Sequence, residues 1–454
     1  MLDVTIDRAV AGGRMLARHD GRVILVSGAI PGERVRVKIE RVARDVSFAH
    51  VIEVLEASPD RREPAGDPAC GGAVYAHIRY ERQRQLKAEI IADAFRRIAR
   101  VALDAPVAVR RSPERGYRVR ARLHVRQRRA GFFREGTHAL CDAGPGGQLL
   151  PASIAAIDAT LAALDARLAD CEAFVLSENI AATDRVIHVV PRDGARLDDL
   201  AGHIQLPEGV TGLTTGRHGQ IVTLAGEASI TDRAADVFGG DSPIDPATTW
   251  KRLPESFFQG NRFLVGELVR RVIEAATGER FVDLYAGVGL FAVALAAAGR
   301  RGLAVEGDRA AAADLATNAA PWRGALRAIR APVEEAVALP LDPPPDLVVL
   351  DPPRTGVTSE ALAGVLAWAP PRIVYVSCDP PTLARDAKRL VDAGYAMTSI
   401  DGFDLFPNTA HVEAVSTFQE VGKSGSREVG KSRSRPPTRA VWRRSACEPR
   451  PPTR

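Results

Sequence analysis

The sequence predicts an α/β protein: a doubly wound, Rossmann-like parallel sheet at the C-terminal end, preceded by a small OB-like β-barrel and a mixed α+β central region. Three observations point there. Between about 246 and 420, short apolar runs at 280–285, 302–306, 346–351 and 372–377 each end on polar residues, and helical stretches at 290–298 and 309–319 lie between them. Strands buried on both faces read as such runs, and strand–helix alternation is the mark of crossover connections. The segment Asp283-Leu-Tyr-Ala-Gly287-Val-Gly289 falls at a strand-to-helix junction, where glycines let the backbone turn tightly and approach a ligand. The first 58 residues are different: 23–26 and 35–39 read as short strands punctuated by Gly12-Gly13, Gly21 and Pro31-Gly32, the spacing of a small barrel.

These patterns divide the chain into a barrel over 1–58, a central α+β region over 59–245, a doubly wound domain over 246–420 and a basic tail over 421–454. The central region opens with a helix predicted over 80–98. Residues 110–134 then hold ten arginines and one acid, Glu114. Arg118, Arg120, Arg122, His124, Arg126 and Arg128 alternate with Val119, Ala121, Leu123, Val125 and Gln127. That period of two gives one strand a basic face and a largely apolar face. The basic face is either ordinary solvated sheet or a phosphate-contacting surface, and the density of arginine favours the second. The tail carries ten Lys/Arg and two Glu with near-repeated Val-Gly-Lys-Ser, and reads as disordered. Its net +8, set against +5 overall, leaves the rest near −3. A nucleic-acid footprint on the folded part therefore has to be local.

Bulk composition excludes several classes. No apolar run approaches the ~18 residues of a membrane span. The N-terminus lacks the apolar core of a signal peptide, so a cytoplasmic protein without a membrane partner is expected. The five cysteines, at 70, 141, 171, 378 and 447, are scattered and odd in number. That is neither a disulfide framework nor a zinc set, and no metal site is expected.

Chemistry concentrates at the strand ends of the last domain. Glu306 ends the strand after the glycine turn, where a carboxylate accepts the ribose hydroxyls of a nucleoside cofactor. Gly287, Gly289 and Glu306 fit adenosylmethionine as well as NAD. Asp351-Pro-Pro-Arg354 is a rigid loop past a strand end. Such a loop can present a carboxylate and carbonyls to a planar base, and Arg354 rather than an aromatic weakens a base-amino methylation reading. Cys378, in Val376-Ser-Cys-Asp-Pro380, ends the next strand. A lone cysteine is ordinarily a buried small hydrophobe, but this one sits at the ligand end of the sheet. A thiolate there can add to uracil C6 and make C5 nucleophilic, after which a base must remove the C5 proton. His411 and Glu413 are two apart and would share a strand face. The sequence leaves these two nearly even as base, with Glu413 preferred. Gln259 and Asn261, in Phe257-Phe-Gln-Gly-Asn261, can contact the cofactor or cap the following helix.

Taken together, six collinear segments resemble the RNA uridine-C5 methyltransferase family: Phe257-Phe-Gln-x-Asn261, Asp283-Leu-Tyr-x-Gly-x-Gly289, Glu306 with Asn318, Asp351-Pro-Pro-Arg-x-Gly356, Tyr375-Val-Ser-Cys-x-Pro380 with Thr382-Leu-Ala-Arg-Asp386, and Phe406-Pro-x-Thr-x-His-x-Glu413. The N-terminal region resembles a TRAM domain, with Gly12-Gly13, Asp20-Gly21 and Pro31-Gly-Glu33 in place. The resemblance implies Cys378 as nucleophile, Glu413 as proton acceptor, and Gln259, Tyr285, Glu306 and Asp351 lining a pocket for S-adenosyl-L-methionine and the target base. It implies an RNA partner, ribosomal more than transfer RNA, and no protein partner. Ribosomal members often carry a four-cysteine iron–sulfur site. Here Pro64, Cys70, Ala73 and Gly147 fall at its positions, so no cluster is expected and the central region would be held by packing alone. Two other readings compete: a transfer-RNA enzyme of the same family, and a non-catalytic RNA-binding protein on the same scaffold. A binder has no need of both Cys378 and Glu413.

Overall fold

The computed structural model describes residues 1–217 and 219–421. The expected tail therefore lies, from residue 422 on, outside the described residues.

The chain begins with a closed five-stranded barrel, β1 (Leu2–Ala9), β2 (Met15–His19), β3 (Arg22–Ser27), β4 (Arg34–Val42) and β5 (Val46–Glu56), in the order β1-β2-β3-β5-β4. Alternate residues point inward: Val4 and Ile6, Ile24 and Val26, Val35 and Val37 are all buried. The period-two pattern of the sequence is thus the inside–outside alternation of a barrel wall. Buried Glu33 closes its rim, accepting from the Arg61 guanidinium at 2.6 and 2.7 Å and from the Ile30 amide at 2.9 Å.

Helix α1 (Tyr80–Ala94) follows, and runs into a π-helical turn at Phe95–Ala99 before the short strand β6 (Val109–Arg110). A seven-stranded sheet comes next: β7 (Arg120–Arg126), β8 (Arg129–Phe133), β9 (Leu140–Cys141), β10 (Cys171–Glu178), β11 (Arg185–Pro191), β12 (Gly212–Arg217) and β13 (Gln220–Gly226), with α2 (Pro151–Ala163) between β9 and β10. Its spatial order is β13-β12-β11-β10-β7-β8-β9. A two-stranded ribbon, β14 (Ile230–Arg233) and β15 (Thr249–Arg252), flanks α3 (Ala234–Phe238) and leads to the last sheet.

That sheet is built from α4 (Val265–Ala275), β16 (Arg280–Leu284), α5 (Leu290–Ala297), β17 (Arg301–Glu306), α6 (Arg309–Ala319), β18 (Leu326–Arg330), α7 (Val333–Val337), β19 (Leu347–Leu350), α8 (Ser359–Trp368), β20 (Arg372–Ser377), α9 (Pro380–Asp392), β21 (Tyr395–Phe403) and β22 (Glu413–Glu420). Its order is β18-β17-β16-β19-β20-β22-β21-β6. The five strands from β18 to β20 are parallel; β22 runs antiparallel between β20 and β21. Hydrophobic cores fill both faces of the sheet. Strand β6, from ahead of the central sheet, pairs with the β21 edge through Gly402–Val109 and Phe403–Arg110.

Two expectations change. The alternation over the strand holds, with Val119, Ala121, Leu123 and Val125 buried, but the start of the opposite face is spent inside the protein, while Arg122, Arg126 and Arg128 stay exposed. Arg118 donates to Gln148 Oε1 and the Arg120 carbonyl, Arg120 donates to the carbonyls of Pro254 and Glu255, and Arg122 pairs with Glu172. Arg118 and Arg120, satisfied by carbonyl and amide oxygens, are not free for phosphates, so the start of this stretch is first a joint between sheets. Second, Cys70 and Cys141 form a disulfide across 71 residues. Neither packing alone nor the absence of any disulfide describes the central region: the bond ties the 67–73 loop to β9. Among the described residues no group of three or more His, Cys, Asp or Glu is arranged to hold a metal ion, and no helix is long and apolar enough to cross a membrane.

The cross-link yields a stability prediction. Closing so long a loop stabilises by about 4 kcal/mol in the chain-entropy description, so Cys141→Ser is expected to lower the denaturation midpoint substantially in non-reducing buffer and hardly at all under strong thiol reductant. Non-reducing peptide mapping should join the peptides holding Cys70 and Cys141; alkylation of both in native protein would refute the bond.

Candidate functional site

The carboxyl ends of β16, β17, β19 and β20 meet the start of β22, and every residue singled out from sequence except the helix cap lies along that edge. The glycine turn is the best supported part. Tyr285, just past β16, holds φ at +64°, a left-handed conformation uncommon for a non-glycine residue and frequent at ligand sites. Gly287 and Gly289 follow at +57° and +89°. They differ in role: a side-chain carbon on Gly289 would lie 2.7 Å from Leu315, whereas nothing stands within 4 Å of one on Gly287. Gly289 thus permits close helix packing, and Gly287 keeps the turn open to a ligand. Trp250 and Asn318 brace the turn, donating to the carbonyls of Gly289 and Val288.

Glu306 ends β17 as expected. Its two oxygens accept from the amides of Gly287 and Asp308, each at 2.7 Å. The carboxylate is thereby fixed beside the turn with lone pairs to spare. Asp283 is fully buried and neither of its oxygens makes a full hydrogen bond, the Ala292 amide compensating it only in part. Burial, then the nearby Asp351 carboxylate, holds its carboxyl well above the usual range. A buried acid without a full donor awaits a cationic or donor-rich group. That donor set suits a nucleoside cofactor carrying ammonium and sulfonium charge.

The second half of the site surrounds Cys378. Ser377 is the last residue of β20, and Asp379 caps α9, its Oδ1 accepting from the Thr382 amide at 2.9 Å, with Pro380 opening the helix. Cys378 is held between strand end and cap, half-buried and not disulfide-bonded. The β20–β22 register pairs Ser377 with Ala414. Continuing it by one residue sets Cys378 across from Glu413, the first residue of β22.

Electrostatics tie the group together. Burial, then the Glu413 carboxylate, push the Cys378 thiol up to about 11 against the opposing Arg354 guanidinium. Glu413 is almost fully buried and is held well above the usual carboxylate range, first by burial, then by Asp351, with Arg354 again opposing. Asp351 is raised to about 7 by burial, less the hydrogen bond donated by Gln259 at 3.3 Å. Glu413 and the Cys378 thiol thus share the Arg354 cation. The proline loop carrying Arg354 is anchored by Asp386, which accepts from the Val357 amide at 3.0 Å and from the Tyr375 hydroxyl at 2.8 Å.

One expectation is corrected here, and one open alternative is decided. His411 and Glu413 do not share a strand face, because β22 begins only at Glu413. His411 precedes it, its ring edge-on to Phe406. Although that ring reaches solvent, crowding by surrounding atoms, then the Arg354, Lys87 and Arg118 cations, push it down to about 4, so it is a neutral and weak base at pH 7. Asn261 is fully occupied structurally. Its Oδ1 accepts from the Phe263 and Leu264 amides, and its Nδ2 donates to Ser112 and the Leu405 carbonyl. It shapes the entry to α4, and Gln259 alone of that pair faces the site.

Comparison with known proteins agrees with this architecture. The TRAM domain profile matches residues 1–52, and that of the tRNA (Uracil-5-)-methyltransferase family matches residues 345–420. The chain is 32% identical to the 23S rRNA (uracil(1939)-C(5))-methyltransferase of Halomonas elongata, over 95% of this chain and 92% of that protein. It is also 32% identical to the enzyme of the same name from Pseudomonas putida, over 91% and 92%. The structure of Pyrococcus abyssi tRNA (uracil-54, C5)-methyltransferase superposes with a TM-score of 0.70 at 24% identity, covering 91% of this chain and 99% of that one. The fold is that of S-adenosylmethionine-dependent methyltransferases. With the likeness running through barrel, central sheet and catalytic sheet alike, the chain belongs to the RNA (uracil-C5)-methyltransferase family.

Proposed function

We propose that the protein methylates C5 of a uridine in 23S ribosomal RNA, using S-adenosylmethionine, through a covalent bond between Cys378 and C6. The observation that carries the mechanism is the β20–β22 register, which brings a thiol and a buried carboxyl face to face at the ligand end of the sheet. The Cys378 thiolate adds to C6, and the pair of electrons displaced from the C5–C6 bond makes C5 nucleophilic. S-adenosylmethionine supplies the electrophilic methyl group and, as a sulfonium, positive charge that favours the ionised forms of Asp351 and Glu413. Once C5 carries the methyl, the Glu413 carboxylate takes the C5 proton, the C5–C6 double bond re-forms and the C6–S bond breaks. Arg354 favours the thiolate by charge. Gln259 holds Asp351 through its amide, and Glu306 and Asp283 would hold the ribose and amino groups of the cofactor. The ribosomal target is supported by the names of the two relatives at 32% identity and by the N-terminal TRAM match.

Three outcomes are expected. With 5-fluorouridine-substituted RNA and cofactor, where C5 has no proton to lose, the protein should be trapped as a gel-stable adduct; Cys378→Ala should abolish both adduct and turnover. Adduct persisting in that variant sinks the nucleophile. Glu413→Gln should still add to ordinary uridine RNA but release product on the order of 10³-fold more slowly; normal turnover would remove Glu413 from the reaction. The third concerns pH. An acid whose folded-state pKa is raised binds protons more tightly when folded, so its contribution is present below the unfolded value of 3.8 and is lost as pH rises through about 7. In cofactor-free protein, Asp351→Asn is therefore expected to raise the melting temperature at pH 8 and change it little at pH 4, while lowering activity. Equal effects at both pH values would contradict the assignment.

A further inference from the structure

Helix α1 carries two polar side chains that the catalytic reading does not use. Gln83 and Lys87 are one turn apart, on one helical face, and both are fully buried. They reach a segment more than 300 residues away in sequence, the stretch 404–409 that leads into Glu413. Lys87 Nζ donates to Asp404 Oδ1 at 2.5 Å and to the Phe406 carbonyl at 3.1 Å. Neither side chain of this ion pair is exposed. The Gln83 amide makes a reciprocal pair with Asn408: its Nε2 donates to Asn408 Oδ1, and its Oε1 accepts from the Asn408 amide, both at 2.9 Å. Asn408 holds φ at +66°, a conformation that the paired amide stabilises.

Neighbouring bonds extend the grip. Arg62 donates to Asn408 Oδ1 at 2.7 Å, the Tyr75 amide to the Asn408 carbonyl at 2.8 Å, and the Tyr117 hydroxyl to the Pro407 carbonyl at 3.3 Å. Asn261 donates to the Leu405 carbonyl at 2.9 Å. The carbonyls from Leu405 through Asn408 each have a side-chain or backbone donor from outside the segment. A joint needed only for stability is built more favourably from apolar residues, because a buried pair must repay its desolvation. Directional bonds instead fix a backbone path, and this path ends at Glu413.

We propose that Gln83 and Lys87 are positioning residues for proton removal: they hold 404–409 so that Glu413 enters β22 aimed at the C5 proton. The proposal rests on Glu413 being the base. The test uses the full chain, unmodified 23S rRNA transcribed with [5-³H]uridine, and S-adenosylmethionine. Tritium release reports loss of the C5 proton, and a denaturing gel reports the covalent adduct. Lys87→Met and Gln83→Ala should slow tritium release about 10- to 100-fold, the scale of a small misplacement of a catalytic group. Adduct should accumulate, with cofactor affinity unchanged. In Lys87→Met/Asp404→Leu no buried charge is left unpaired, so stability should return toward wild type while adduct still accumulates. A purely structural pair would regain both. Folded variants that release tritium at the wild-type rate overturn the proposal, as does failure of all three variants to fold, since the segment would then support the fold rather than the base. Glu413→Gln, run in parallel, separates the two claims. If it accumulates adduct while the α1 variants turn over normally, only the positioning role fails; if it does not, the base assignment itself fails.

Discussion

The site depends on one constraint: the antiparallel entry of β22 between β20 and β21. In a parallel sheet each strand starts at the end opposite to where its neighbours finish. A strand added parallel to β20 would bring its first residue to the far edge, away from Cys378. Because β22 runs backwards, the residue leaving β20 and the residue entering β22 meet at the same edge, where the glycine turn and proline loop also lie. The register does the rest. With Ser377 against Ala414, Glu413 falls opposite the thiol, and a slip of one residue would turn its side chain to the other face of the sheet.

Closeness of this kind has an electrostatic cost. Asp283, Asp351 and Glu413 are buried near one another, and each is raised above the ordinary carboxylate range mainly by burial. The like charges add to the effect, and Arg354 relieves it at Glu413 and at the thiol. Such an arrangement is stable only with protons or positive charge among the acids. A site built for a sulfonium donor has that property by design of its charges, and gives up some stability of the free protein for it.

Much of this was legible in the sequence because the signals were local. The strands at 280–285 and 372–377 announced themselves by apolar runs with polar ends, and the glycine turn by its spacing. What was misread required distance. His411 and Glu413 looked alike by spacing, and only the point at which β22 starts tells them apart. Arg118 and Arg120 looked like phosphate ligands because the pattern showed which face they share but not that the carbonyls of Pro254 and Glu255 cover it. The Cys70–Cys141 bond joins residues 71 apart, and connectivity of scattered cysteines is not set by their spacing. Gln83 and Lys87 passed unnoticed, though the signal was there: two polar residues four apart among Leu86, Ile90 and Ile91, on the face of a helix that is otherwise apolar.

That last omission bears on how the catalytic sheet should be understood. Its outer edge is completed by β6, and its 404–409 segment is held by α1 and by Arg62, Tyr75 and Tyr117, all of which precede β16 by well over a hundred residues. Asp404 shows the dependence most directly. Its amide donates to the Arg110 carbonyl and one of its carboxylate oxygens accepts from Lys87, so backbone and side chain of the same residue both find a partner in the N-terminal half. A fragment consisting of the doubly wound region alone would leave that carboxylate buried without its cation, or expose it along with the apolar edge of β21. The N-terminal modules therefore do more than supply surface for RNA. They complete the hydrogen bonding of the β21 edge and of the 404–409 segment that leads into Glu413, so the entry to β22 is set by residues from both halves of the chain.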